Sequence, residues 1–166
     1  MRINIVIIIL FVCFAGIFSC KKGTTVVVPK TKTELLAGVA GTTSKTWKNT
    51  KAEATNPQGL KIDLVSTQPT CVTDNLLIFF SNKTYEIREG ATKCNATDPD
   101  LLLKANWSLN ATETQFSIDK IIFQGRQVEN VVFDVVELTE TTFVGKTSLA
   151  LSGVTYQFVA TFEVVK

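Results

Sequence analysis

Beyond Lys45 the chain alternates apolar and polar positions with a period of two. Val154, Tyr156, Phe158, Ala160, Phe162 and Val164 fall on one face of an extended segment, and Thr155, Gln157, Thr161 and Glu163 on the other. Such alternation predicts a half-buried antiparallel strand. Leu103, Ala105, Trp107 and Leu109 repeat it against Lys104, Asn106, Ser108 and Asn110, and Leu60, Ile62 and Leu64 repeat it over a shorter span. Segments near 45–54, 114–119, 130–138 and 142–149 bring the expectation to about eight to ten strands, rich in β-branched and aromatic residues and broken by turns. A single short helix is predicted ahead of them, with Thr33 as N-cap, Glu34 in its first turn and Gly41 just past its end. The economical architecture is all-β, an antiparallel up-and-down barrel of about 8 strands, because closure removes exposed sheet edges. A two-sheet sandwich is the alternative.

Two of these strands, Leu76 to Phe80 and Thr84 to Arg88, flank the turn Ser81-Asn82-Lys83-Thr84. A tight hairpin there makes positions whose numbers sum to 165 face one another, pairing Phe80 with Tyr85 and Ile78 with Ile87. Cys71 and Cys94 obey the same sum, so a disulfide between them is expected to close the open end of the hairpin.

The first residues follow another logic. Behind Arg2, an uncharged stretch from Ile3 to Ser19 ends in Ile17-Phe18-Ser19-Cys20-Lys21-Lys22. Its run of about fifteen apolar residues falls short of the ~20 that a spanning helix needs, and a positive start, apolar middle and small final residue describe a cleavable export signal. The ending resembles a bacterial lipobox, which implies cleavage before Cys20 and acylation of its sulfur and freed amine. Two or more acyl chains hold a protein stably on a bilayer. An ordinary secretory signal, with Cys20 a spare thiol, is the alternative. The expected organisation is a signal over 1–19, a lipidated Cys20 and flexible tether over 20–32, and one barrel domain over 33–166. Cys13 leaves with the signal, so Cys71 and Cys94 are the cysteines left for the folded part, and an oxidising compartment favours their pairing.

Charge changes the picture little. The whole chain carries a formal net charge of +2, but up to Lys51 seven lysines stand against Glu34 alone, so the rest is net acidic. A basic tether gains about 1 kcal/mol per Lys beside anionic lipid, and a solvated linker explains it equally. Nucleic acid is not an expected partner, since no stacking platform accompanies the lysines.

The sequence has no histidine, which excludes Ser-His-Asp and Cys-His nucleophiles and histidine-based zinc sites. The loop Asn95-Ala96-Thr97-Asp98-Pro99-Asp100 lacks the oxygen spacing and Gly of a calcium loop and reads as a turn. Glu86, Glu89, Asp134, Glu137 and Glu140 could supply a carboxylate pair for glycoside cleavage, yet strand faces turned to water carry such residues in any β protein. No catalysis, cofactor or metal is expected.

Lys45-Thr46-Trp47-Lys48 after a short helix, Cys71-Val72-Thr73-Asp74-Asn75 before an apolar strand, Asn82-Lys83-Thr84-Tyr85, Gly90-Ala91-Thr92-Lys93-Cys94, Trp107-Ser108-Leu109 and Val136-Glu137-Leu138-Thr139 with Thr142-Phe143-Val144 stand in order along the chain. This constellation resembles the lipocalin-like domain of bacterial outer-membrane lipoproteins over roughly residues 33 to 165, with Lys83 where Gly would be usual. The resemblance implies a small antiparallel barrel at the outer membrane, and Lys21-Lys22-Gly23 in place of an acidic run after Cys20 suggests its periplasmic face. It brings no catalytic residues.

Function is therefore expected to be binding. A lipid-anchored envelope protein would hold a small apolar or amphipathic ligand in an inner cavity of about 300 Å³ or more, lined by Trp47, Tyr85, Trp107, Tyr156 and Phe158. The alternative is a non-catalytic interaction or envelope-assembly module with a filled barrel, meeting another envelope protein through its loops or outer face.

Overall fold

The computed structural model describes residues 28–165 apart from 42, 43, 124 and 152. The signal, Cys20 and the tether as far as residue 27 lie outside the described residues. Helix α1 (Lys32–Ala37) leads into strand β1 (Lys45–Thr55), short strand β2 (Lys61–Asp63), one helical turn α2 (Thr70–Thr73), and β3 (Leu76–Phe79), β4 (Thr84–Arg88), β5 (Leu101–Leu109), β6 (Gln115–Phe123), β7 (Arg126–Leu138), β8 (Thr142–Leu151) and β9 (Val154–Val164).

Every pairing is antiparallel. From β3 to β9 each strand pairs with the next in sequence, and β9 returns to β1, whose other edge pairs with β3. Eight strands thus close into an up-and-down barrel. Strand β2 extends the sheet at the far end of β1 through Glu53↔Asp63 to Thr55↔Lys61. The period-two reading holds where the strands are long: Ala105, Trp107, Phe158 and Phe162 are buried, while Lys104, Asn106, Gln157 and Glu163 face solvent. It overstates 60–64, because β2 is three exposed residues and only Leu64 of that trio is buried.

Helix α1 starts two residues earlier than expected. Thr31, not Thr33, is its N-cap, accepting from the Glu34 amide at 3.2 Å, while the Glu34 carboxylate takes the Thr31 amide at 2.8 Å. This reciprocal box satisfies donors that a bare helix end leaves unpaired. Gly38, at φ 85°, ends the helix. The helix plugs one end of the barrel: Leu36 and Ala37 are fully buried, and its free carbonyls are taken by Lys45 Nζ (to Leu35 O, 2.6 Å) and Trp47 Nε1 (to Leu36 O, 2.8 Å).

The β3–β4 hairpin differs from expectation by one residue. Its pairs are Phe79↔Tyr85, Ile78↔Glu86 and Leu77↔Ile87, not Phe80 with Tyr85 and Ile78 with Ile87. The cause is Lys83, which takes the left-handed backbone at φ 71° where Gly would be usual. Its amide donates to Phe80 O and the Phe80 amide to Thr84 O, so the loop holds three residues rather than two. Lys83 offsets that conformation with an ammonium that donates to Thr33 Oγ1 at 2.8 Å and lies 4.0 Å from the Trp107 ring centre.

Cys71 and Cys94 are disulfide-bonded, with Cα atoms 5.1 Å apart. Both lie beyond the ladder, in α2 and in the β4–β5 connection, so the bond does not depend on the register argued for it. Asp74 sits beside it, accepting from the amide and hydroxyl of Thr92 at 2.9 and 2.8 Å. Gly90 lets this contact form, since a Cβ there would stand 2.2 Å from the Asp74 carbonyl oxygen.

Candidate functional site

Inward side chains divide the barrel into two halves. Near α1 they are large and aromatic: Trp47, Phe79, Tyr85, Trp107, Phe116, Phe143 and Phe162 form one cluster, with centroid spacings such as 5.4 Å for Phe116 and Phe143 and 5.7 Å for Phe143 and Phe162. The gap among them measures about 10 Å³, hardly room for one water. This half is solid.

Toward the other end the inward residues shrink. Ala52 faces Ala160 across β1 and β9, and Gly145 faces Ala160 across β8 and β9. A Cβ on Gly145 would meet the rings of Phe133 and Phe143 at 3.2 and 3.3 Å, whereas the two alanines, both in the lining, leave a cavity of about 200 Å³. Leu77, Ile87, Ile121, Leu149 and Phe158 form its wall. A cover is supplied by the strap between β2 and β3, through Leu64, Val65, Gln68, Val72 and Thr73. The disulfide ties that strap to the β4–β5 connection. Since all strands run antiparallel, the strap and the turns at Gly125 and Gly153 share one end of the barrel, and α1 holds the opposite end.

The lining is mostly apolar. Thr147 Oγ1 is committed to Val132 O at 2.7 Å, and Asn49 Nδ2 to Thr161 O at 3.1 Å. Glu53 is the charged residue in the lining, and it is paired with Lys61 at 2.7 Å on the exposed rim. Among the described residues no lysine or arginine lines the cavity.

Of the five aromatic residues expected to line a cavity, Phe158 does so. Trp47 and Trp107 instead close the solid half; the Trp107 indole donates to Thr84 O at 2.9 Å. Tyr85 is fully buried there, its hydroxyl donating to Lys120 O, and burial, aided by Asp119, pushes the phenol well above its ordinary pKa. Tyr156 packs on Phe158, centroids 6.2 Å apart, without facing the cavity. The expectation failed because large aromatic rings fill a narrow barrel instead of lining a space in it. The informative signal was the small inward residues Ala52 and Ala160. The volume, about 200 Å³, also falls below the expected 300 Å³, which limits a fully enclosed occupant to a smaller molecule.

The acidic candidates are not gathered. Glu86 pairs with Arg88 and Lys104 on the outer face of β4, Glu140 with Lys30 and Lys45 at the plugged end, and Asp134 is exposed and accepts from Gln115 Nε2 at 3.3 Å. The 95–100 loop is a turn, with Asp98 accepting from the Asn95 amide. Among the described residues, no group of three His, Cys, Asp or Glu is placed to hold a metal ion.

No family model matches this chain, and no curated protein matches it. Among solved structures, bovine odorant-binding protein complexed with its natural ligand is similar at 16% identity over 84% of this chain and 76% of that chain, with a TM-score of 0.44. The same protein in complex with undecanal gives 15% identity, the same coverage and a TM-score of 0.44. At these values the assignment of an antiparallel up-and-down barrel stands on the strand order itself.

Proposed function

We propose that this protein is a lipid-anchored cell-envelope lipoprotein whose barrel holds one small apolar or amphipathic molecule in its open half. The observation that carries the binding reading is the 200 Å³ apolar cavity under a disulfide-tied strap. A dry 150 Å³ cavity accommodates benzene, so this one has room for roughly eight heavy atoms, and a longer molecule would project past the strap. A solid barrel acting only through its surface would not keep such a space, because unfilled core volume is costly.

The anchor rests on the sequence around Cys20. The geometry is compatible with it: the chain reaches the barrel at its plugged end, where Lys30 pairs with Glu140 at 2.5 Å. A tethered barrel would present its mouth away from the bilayer, at the outer membrane's periplasmic face if the basic residues after Cys20 direct it there.

Native mass spectrometry of protein purified from its own cells tests the binding reading. A retained small-molecule adduct, lost in Ala160→Leu, is the expected result; an adduct-free wild type that also takes up no added ligand would refute it. Growth with a radiolabelled fatty acid tests the anchor separately, and an unlabelled mature chain would remove it.

A further inference from the structure

Among the described residues, three side-chain oxygens are buried and have no hydrogen-bond partner: Asp74 Oδ1, Asn75 Oδ1 and Glu89 Oε2. They come from one place. Asn75 lines the cavity, Asp74 precedes it, and Glu89 follows Arg88, the residue paired with Leu76 across the hairpin. Asp74 uses its other carboxylate oxygen for Thr92, so the unpaired one is spare. All three are acceptors. Among the described residues no buried side-chain donor is left without a partner.

Charge points the same way. The cavity has no basic residue in its lining; Asp74 and Glu89 stand next to this end but outside the lining, and Lys93 attracts Glu89 from the loop side. A buried acceptor without a donor is a standing cost that a ligand's O–H or N–H would remove. A ligand carboxylate would do the opposite, adding acceptors and a negative charge where no lysine or arginine lines the cavity to offset it.

We propose that the cavity selects apolar molecules bearing a hydrogen-bond-donating head group, alcohols and protonated amines, and rejects carboxylates of equal length, the head group lying against Asn75 and its neighbours. This rests on the reading that the cavity holds a small molecule.

The test is calorimetric titration at pH 7 of the chain from residue 20 onward carrying Cys20→Ser, which removes the acyl chains as a competing apolar phase. Octan-1-ol, octylamine and octanoate each have eight carbon atoms and one head group. The expected result is binding of the alcohol and the amine with octanoate weaker by about tenfold or more, the order set by one unpaired buried acceptor. Octanoate binding as tightly as octan-1-ol overturns the selectivity while leaving a ligand-binding barrel intact. Absence of binding by all three overturns both. In Asn75→Leu, folding checked by its melting temperature, the preference for alcohol over carboxylate should shrink to within threefold; an undiminished preference would overturn the placement of the head group at this end. The comparison among the three compounds on the parent chain stands without that variant.

Discussion

Replacing both Cys71 and Cys94 by Ser should cost this domain much of its stability and also its cavity. The two residues are separated by 23 positions, and restoring that loop's freedom to the unfolded chain costs about 3.4 kcal/mol by the chain-entropy relation. Few other contacts replace the bond. Helix α2 has four residues, none of them buried, and Pro69 gives it no side-chain cap. The Asp74–Thr92 hydrogen bonds lie in the same loop and would loosen with it. With a urea m-value of about 2 kcal/mol/M, the unfolding midpoint should fall by about 1.7 M relative to the oxidised parent. Val72 and Thr73 line the cavity from this strap, so ligand uptake should weaken at denaturant concentrations where the barrel remains folded. The assay is equilibrium urea unfolding followed by far-UV circular dichroism and tryptophan fluorescence, since Trp47 and Trp107 report on the opposite, solid half. A midpoint within about 0.3 M of the parent would refute the claim that this bond restrains the unfolded chain.

Gly90→Ala should lower the melting temperature by several degrees, because a Cβ 2.2 Å from Asp74 O forces a backbone shift worth about 1–3 kcal/mol. Thr31→Ala removes the N-cap of α1 and should cost about 1 kcal/mol in urea unfolding. Glu86 is held below its ordinary carboxylate range, first by its hydrogen bond to Arg88 and despite an opposing push from burial, with Lys104 adding attraction. A depressed folded-state pKa means its contribution is present above the unfolded value of 4.5 and fades as pH falls through the folded-state value. Glu86→Gln should therefore flatten the acid limb of melting temperature against pH while leaving the profile above pH 6 parallel to the parent; an unaltered acid limb would contradict the pairing.

The barrel was legible because its long strands are read from one periodicity and each face has one job. Residues 103–109 and 154–164 show apolar side chains inward and polar ones outward without exception at the buried positions. The short elements were not. A three-residue strand such as β2 has no period to count, and the Leu60-Ile62-Leu64 trio put two of its three apolar residues in solvent. The hairpin register turned on a single backbone angle at Lys83, which side-chain identity argues against and tertiary contacts with Thr33 and Trp107 support. The capping box at Thr31 and Glu34 could have been found from its spacing alone. The disulfide was expected on a register that the structure shifts, and it is present with both cysteines in segments outside the ladder. At the site, the conspicuous aromatic residues Trp47 and Trp107 fill the solid half, whereas the cavity depends on what Ala52 and Ala160 lack. An absence of bulk has meaning only once the cross-strand partners are known, and those come from register.

Binding requires that a molecule sits in the open half of the barrel. Methyl-resolved NMR of the chain carrying Cys20→Ser, titrated with octan-1-ol, addresses this directly. Saturable shifts at Leu77, Ile87, Ile121 and Leu149, with little change at the outward-facing Val132 and Val136, are the predicted result. Methyl signals of the cavity wall that stay in place while those two surface valines move would contradict it.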